Sequence, residues 1–312
     1  MAETARRRIL TVPSVQKVIL LGVQPERIYV EISLARLAQL GIAPTAITDA
    51  LHTQDSMTTS GTVETETDTV QLRASGVFDS IEDIRAVSAR IKAANPNCIV
   101  FVDNCYGEFV DRMEPTEVPT VDIIAGSLIK NPGGGLAPTG GYIAGRSDLV
   151  EAASYRLTAP GMGDELGASL VSSRLLYQGL FLAPHVVAQA LKGAVFAAGI
   201  FEGIGCRTFP RFTDVRSDII QAIVLGDADR MKAFARAIQA MSPVDSFAAP
   251  EPWDMPGYAD QIIMAAGTFV QGASIELSAD GPMREPYCIY LQGGLTFEHA
   301  ALGVMAAAEA VR

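Results

Sequence analysis

Cysteine, histidine and tryptophan are scarce in this 312-residue chain, with four, three and one respectively. Cys98, Cys105, Cys206 and Cys288 stand at spacings that match neither a zinc site nor a disulfide framework. Reduced, buried thiols and no metal site are therefore expected. Basic charge is also short: 24 Lys and Arg face 35 Asp and Glu, a formal net charge of -11. Nucleic-acid binding draws its affinity from clustered Lys and Arg, so a nucleic-acid partner is excluded. The one basic run, Arg6-Arg7-Arg8, is followed over 9–17 by polar residues and a proline that interrupt any signal-peptide apolar region. The expected compartment is the cytoplasm. Unbroken apolar runs of membrane length are lacking too. The most apolar stretch, 175–205, carries Gln178, Pro184, His185, Gln189 and Lys192, which are costly in lipid, and reads as buried helix without membrane insertion.

What is present is core material, 49% apolar, enough for two or three domains. Over 15–76 the alternation predicts short strands at 18–21, 27–32, 62–67 and 69–73, with helical spacing over 33–54 between the pairs. The Glu64-Thr65-Glu66-Thr67-Asp68 run reads as a solvated hairpin face. A capping-box-like Ser80-Ile81-Glu82-Asp83 then starts a helix running towards Ala94. Strand signals at 98–103, 121–126 and 141–144 alternate with helical stretches, the pattern of a mostly parallel sheet covered by helices. From 205 onward a smaller α+β domain is expected, with strands at 218–224 and 274–277 and helices at 228–241 and 296–311.

The apolar run IVFVDN delivers Asp103 to a strand's C-terminal end, where open α/β sheets place ligand-contacting residues. A second run, DIIAGS, delivers Ser127 and then Lys130 within GSLIKNPGGGLAPTGGYIAG. Both strand ends should open on one edge. A carboxylate and a lysine there suit pyridoxal 5'-phosphate (PLP): its aldehyde takes an amine, and its pyridine nitrogen needs an anion to stay protonated. Ser127 could offer its hydroxyl to the cofactor phosphate, and the glycines at 133–135 and 140–141 would let backbone approach closely. Arg284, in DGPMREPY, and Arg156, in YRLTAPG, are candidates to clamp a substrate carboxylate, and each reads equally well as an ion-pair residue. Tyr106 and Trp253 are candidate pocket residues with aromatic packing as the plainer role, and His185 reads as a core histidine.

Two resemblances divide the chain. The segments VDNCYGEFV, AGSLIKNPGGGLAPTGGYIAG, YRLTAPG and GTFVQGASIELSADGPMREPYCIYLQGGLTFEH resemble the methionine γ-lyase-related family of aluminium-resistance proteins, PLP enzymes of fold type I, over about 88–312. That resemblance implies Lys130 as the lysine bound to PLP, Asp103 as partner of the pyridine nitrogen and Ser127 as a phosphate contact. It also implies a sulfur-containing amino acid as substrate and a homo-oligomer. Residues 9–87, including LLGVQPERIYVEISLARLAQLGIAPTAITDALHTQ, instead resemble the periplasmic docking region of resistance-nodulation-division efflux permeases. The two meet within SIEDIRAV and imply a hybrid: a docking-like α+β module at 1–87, a partial PLP-binding large domain at 88–205 and a small α+β domain at 206–312. In fold type I the phosphate loop precedes the Asp strand, where the docking-like module now stands. The expected function is a PLP-dependent carbon–sulfur lyase, active or disabled by that replacement. A non-catalytic docking protein is the alternative, and transamination or racemisation would use the same lysine and aspartate.

Overall fold

A computed structural model describes residues 62–64, 69–71, 80–157, 162–166, 172–255 and 258–312. The chain forms two compact units, 1–76 and 77–312. In the first, β1 (Thr62–Glu64) and β2 (Thr69–Gln71) pair antiparallel with Val63 opposite Val70, the hairpin that the alternation predicts. The other strands and the helices expected over 18–54 lie outside the described residues, and with them most of the docking resemblance.

In the second unit α1 (Ile81–Ala94) begins and ends where the sequence places it. Its first turn is closed by Asp83, whose carboxylate accepts the Ser80 N–H at 3.0 Å. Ile81, Ile84 and Ile91 recur at helical spacing and pack on Val100, Val118, Val121 and Ile124. There β3 (Phe101–Asp103) and β4 (Ile123–Ser127) run parallel, but β5 (Gly141–Gly145) returns antiparallel to β4, with Ser127 opposite Gly141. The sheet is thus mixed rather than mostly parallel. A parallel return needs a crossover to the far end of the sheet, usually a helix. The 128–140 connection contains only a short 3-10 turn (Asn131–Gly133) and comes back at the same end.

After α2 (Ser147–Leu157) comes α3 (Ser173–Gly203), which is long and apolar enough to cross a membrane by length and composition alone. Its stripe Ala183, Val187, Ala190, Ala194, Ala197 and Phe201 is instead buried within this unit. The expectation of a wholly buried helix fails in its first turns, where Tyr177 and Phe181 are 74% and 83% exposed. Gly179 presses on a neighbour there: a Cβ on it would sit 2.2 Å from the Gly133 carbonyl oxygen. His185, read as a core histidine, is exposed, because it lies opposite the buried Ala183 and Val187.

The C-terminal strands β6 (Arg207–Phe209), β7 (Gln221–Val224), β8 (Ile262–Ala265), β9 (Ser278–Pro282) and β10 (Cys288–Gln292) form one antiparallel sheet in the order β6-β7-β10-β9-β8. Alternate residues Ile223, Ile263, Ala279, Ile289 and Leu291 point into one core with Phe201 of α3. The same core takes Phe234 and Ile238 of α4 (Ala228–Ala240) and Val304 of α5 (Phe297–Ala310). Full burial of each large side chain is worth about 1.5–3 kcal/mol. Both helices and β7 lie where the sequence predicts them. The strand expected at 274–277 does not form. The Ile275 N–H donates to the Ile129 carbonyl at 3.2 Å and its carbonyl accepts from Gly294 at 2.8 Å, so this segment joins two regions and the ladder starts at Ser278.

Candidate active site

Asp103 ends β3 and Ser127 ends β4, and the parallel register, Asp103 opposite Ala125, puts both at one edge. The exposed Asp103 carboxylate accepts the Cys105 N–H at 3.1 Å, closing the turn after the strand. Lys130 follows a tight turn in which its N–H donates to the Ser127 carbonyl at 3.3 Å. Its half-buried side chain returns over the edge, with Nζ 4.1 Å from the centroid of the Tyr106 ring. Contacts of this kind are worth about 0.5–1 kcal/mol or more as water is excluded. Asp103 and Lys130 both act on the Cys105 thiol. Burial pushes the thiol up, the Asp103 hydrogen bond and charge add to this, and the Lys130 ammonium opposes it. The amine and carboxylate expected on one edge are therefore brought together there.

Tyr106 is the platform. Its backbone is left-handed, φ 74°, a strained state for a bulky residue. The side chain compensates: the hydroxyl donates to the Ala273 carbonyl at 2.9 Å and the ring is buried under the lysine. Burial holds this phenol well above its ordinary value, so it remains a donor. Asn131, fully buried, donates from Nδ2 to the carbonyls of Tyr106 and Glu108, both at 2.9 Å, and so ties the lysine loop to the turn after β3. The glycine run, expected to make room for a cofactor, serves packing instead. A Cβ on Gly133 would lie 1.8 Å from the Leu128 carbonyl oxygen, and one on Gly134 2.4 Å from that of Gly179 in α3.

The remaining candidates divide. Arg284 forms an ion pair with Asp260 at 3.3 Å, one of its two expected roles, while also bearing electrostatically on Tyr290. Arg156 is exposed in the last turn of α2. Trp253 is half exposed, its backbone bridged to Ile262. The four cysteines are free and only partly buried. Among the described residues no group of three or more His, Cys, Asp or Glu could hold a metal ion.

Two carboxylates escaped the sequence reading. Asp280 of β9 pairs across the sheet with Tyr290 and Met264. Burial pushes its carboxyl up to about 6, with the Lys130 ammonium opposing. Glu108 is 4% exposed; its Oε1 accepts from the Tyr142 hydroxyl at 2.9 Å, and its Oε2 has no hydrogen-bond partner among the described residues. Burial pushes Glu108 up to about 7, with the Tyr142 hydrogen bond among the opposing effects. It lies directly under the edge: a Cβ on Gly126 would sit 2.5 Å from Glu108 Oε1 and from the Tyr142 ring. The available signal was an acidic residue inside an otherwise small or apolar run, SADGP for one and YGEFV for the other.

Comparison with known proteins sets this geometry in a family. The methionine gamma-lyase family model matches residues 51–312, beginning upstream of the junction expected within SIEDIRAV. An uncharacterised Bacillus subtilis protein, YnbB, is 54% identical over 231 residues, 74% of this chain and 55% of that protein. The solved structure of a carbon-sulfur lyase involved in aluminium resistance from Clostridium novyi is 55% identical, with a TM-score of 0.69 over 73% of this chain and 53% of that one. A Listeria innocua structure, provisionally described as a cystathionine beta-lyase involved in aluminium resistance, is 60% identical, with a TM-score of 0.70 over 74% and 56% of the two chains. The chain thus spans little more than half the length of these relatives. With a family match over more than half of its residues, the chain belongs to the methionine gamma-lyase family.

Proposed function

We propose that the chain acts as a PLP-dependent carbon–sulfur lyase of fold type I on a sulfur-containing amino acid of the methionine or cystathionine type. The observation that carries this reading is the end of the parallel β3–β4 pair, where Asp103 closes the Cys105–Tyr106 turn and Lys130 Nζ lies over the Tyr106 ring of that same turn. The residues at this edge fit the cofactor's ring and aldehyde: an amine to bond the aldehyde and a carboxylate to face the pyridine nitrogen. Ser127 is the hydroxyl at the same edge for the phosphate. When bound, PLP supplies an electron sink that makes a substrate Cα–H acidic and lets a sulfur substituent leave.

The chain's own residues handle the protons. With PLP bound, Lys130 Nζ would be the base that takes the α-proton and hands it towards the departing sulfur. Asp103 would face the pyridine nitrogen of bound PLP as its carboxylate partner. The Tyr106 ring lies under Lys130 Nζ and limits where it can travel. Arg284 holds the substrate carboxylate by exchanging Asp260 for it. Arg156 is exposed and has no assigned part in these steps.

The purified chain should gain visible absorption on titration with PLP, and borohydride should fix the cofactor to the peptide containing Lys130. Lys130→Ala should remove both signals. Release of a thiol with a 2-oxo acid then identifies elimination, whereas amino-group exchange or racemisation would redirect the reading. A folded chain that stays colourless and unlabelled in excess PLP would overturn it.

A further inference from the structure

Between β8 and β9 the backbone leaves the ladder, and its polar groups need other partners. A buried carboxylate supplies them. Glu276 is 3% exposed; its Oε1 accepts the Phe269 N–H at 3.0 Å, and its Oε2 accepts the Val270 N–H at 2.8 Å and the Ser274 hydroxyl at 3.3 Å. Ser274 Oγ in turn accepts the Glu276 N–H at 3.1 Å, and the buried Thr268 donates its hydroxyl to the Val270 carbonyl at 2.6 Å. Residues 268–274 are thus folded back on one side chain with both of its oxygens engaged. This loop carries the acceptor that holds Tyr106. Ala273, immediately before Ser274, takes the Tyr106 hydroxyl on its carbonyl at 2.9 Å, and the Tyr106 ring centroid lies 4.1 Å from Lys130 Nζ. Just past Ser274, the Ile275 N–H donates to the carbonyl of Ile129, the residue before the lysine, at 3.2 Å.

We infer that Glu276 is a positioning residue for Lys130: by pinning the 268–274 loop it fixes the Ala273 carbonyl, and through that carbonyl the Tyr106 ring against which the lysine amine lies. The purpose rests on the lyase reading, in which Lys130 needs one fixed place to meet an aldehyde. The contacts themselves belong to this chain alone. Tyr106 needs such support, because its left-handed backbone, φ 74°, persists only where its surroundings over-determine it. A carboxylate suits the task, since the loop presents two successive N–H groups and a planar group with two acceptors meets both. Glutamine, of equal size, keeps one acceptor and turns an N–H donor towards the other N–H.

NMR of the full chain without cofactor, carrying isotope-labelled lysine, reads the placement directly. Protons above an aromatic ring resonate upfield, so the Lys130 ε-methylene signal should stand apart from those of the other lysines and rejoin them in Tyr106→Leu. Glu276→Gln should remove a large part of that displacement. Tyr106→Phe, which keeps the ring and loses only the bond to Ala273, should do the same. Combined, the two should leave the signal where either alone leaves it, because both break one chain of contacts. An unmoved Lys130 signal in folded Glu276→Gln would overturn the inference, and so would a double variant that moves further than each single one. Should Glu276→Gln not fold, Ser274→Ala decides, since it removes the hydroxyl shared with Glu276 and leaves both N–H bonds. A smaller movement in the same direction is expected there, and none would overturn the inference. A chain that behaves as expected yet never binds PLP would defeat the lyase reading alone.

Discussion

The five-stranded C-terminal sheet and the three-stranded sheet bearing Asp103 and Ser127 are made of similar apolar strands, yet they are finished differently. In the first, Ile223, Ile263 and Ile289 are completely buried beneath α3, α4 and α5. In the second, Phe101 and the adjacent Ile99 are 60% and 52% exposed, and the core is the small group Val100, Val118, Val121 and Ile124 under α1. The chemistry-bearing groups stand on the leaner sheet. Their order is secured from the fuller side: Tyr106 by Ala273, and Ile129 by Ile275. The lysine's placement therefore depends on residues more than 140 positions away in sequence, and damage to the C-terminal core should reach the site.

The contrast breaks first, if it breaks, in the cores. Phe234→Ala, which empties a fully buried ring site against Phe201, should cost about 3–5 kcal/mol in urea unfolding, whereas Ile124→Ala should fall near the lower end of the range for such truncations, about 2 kcal/mol. Equal costs would mean that the leaner sheet is packed as completely as the other.

Polar anchoring comes next, and in the leaner sheet Asp122 gathers three partners. Asp122 accepts from Lys92 Nζ at 2.6 Å, the Val100 N–H at 2.7 Å and Arg146 at 3.0 Å. Burial would raise it, but these three partners outweigh that and hold it below the usual range. A carboxyl lowered by folding contributes stability above its unfolded pKa and loses it as pH falls through the folded one. Asp122→Asn should cost about 1–3 kcal/mol at neutral pH and flatten the acid limb of the melting curve. An unchanged acid limb would remove Asp122 from this role.

Glu108 should act with the opposite sign. Its carboxyl is raised from 4.5 to about 7, so the folded chain binds the extra proton and loses stability as pH climbs through that window. Glu108→Gln cannot titrate and should gain on the native chain between pH 5 and pH 8, by a few degrees in melting temperature on the scale of about 1 kcal/mol. A gain independent of pH would trace to shape rather than charge.

These effects follow how the fold could be read. Repeating patterns carried far: the Ser80–Asp83 cap, the α4 and α5 periodicities and the β7 alternation each depend on neighbours close in sequence. Asp103 and Lys130 were legible for a related reason, since apolar strands ending in a carboxylate and in a loop lysine define an edge wherever the sheet is assembled. Long-range pairing was not legible. Whether β5 returns parallel depends on the route taken by 128–140, and whether 274–277 joins a ladder depends on Ile129 and Gly294 claiming its backbone. Asp280 was missed on the same ground: within SADGP nothing marks its carboxyl as one that burial pushes up. The glycines at 133–134 were misread because the carbonyls they approach, Leu128 and Gly179, come from a tight turn and a separate helix.

The smallest expected effect sharpens the comparison by locating what the two sheets do not differ in. Each region carries an exposed ion pair, Arg85 with Glu82 on α1 and Arg236 of α4 with Glu251. In both pairs the two side chains are largely in water, where attraction is screened and ordering long side chains costs entropy. Arg85→Ala and Arg236→Ala should each change stability by less than about 0.5 kcal/mol, and double-mutant cycles with the acidic partners should give similar small couplings. If the Arg236 pair alone proved strong, the sturdiness of the C-terminal region would have to be shared between charge and apolar burial. Two weak couplings leave the buried side chains, and the few hydrogen bonds crossing to the lysine loop, as the source of the difference.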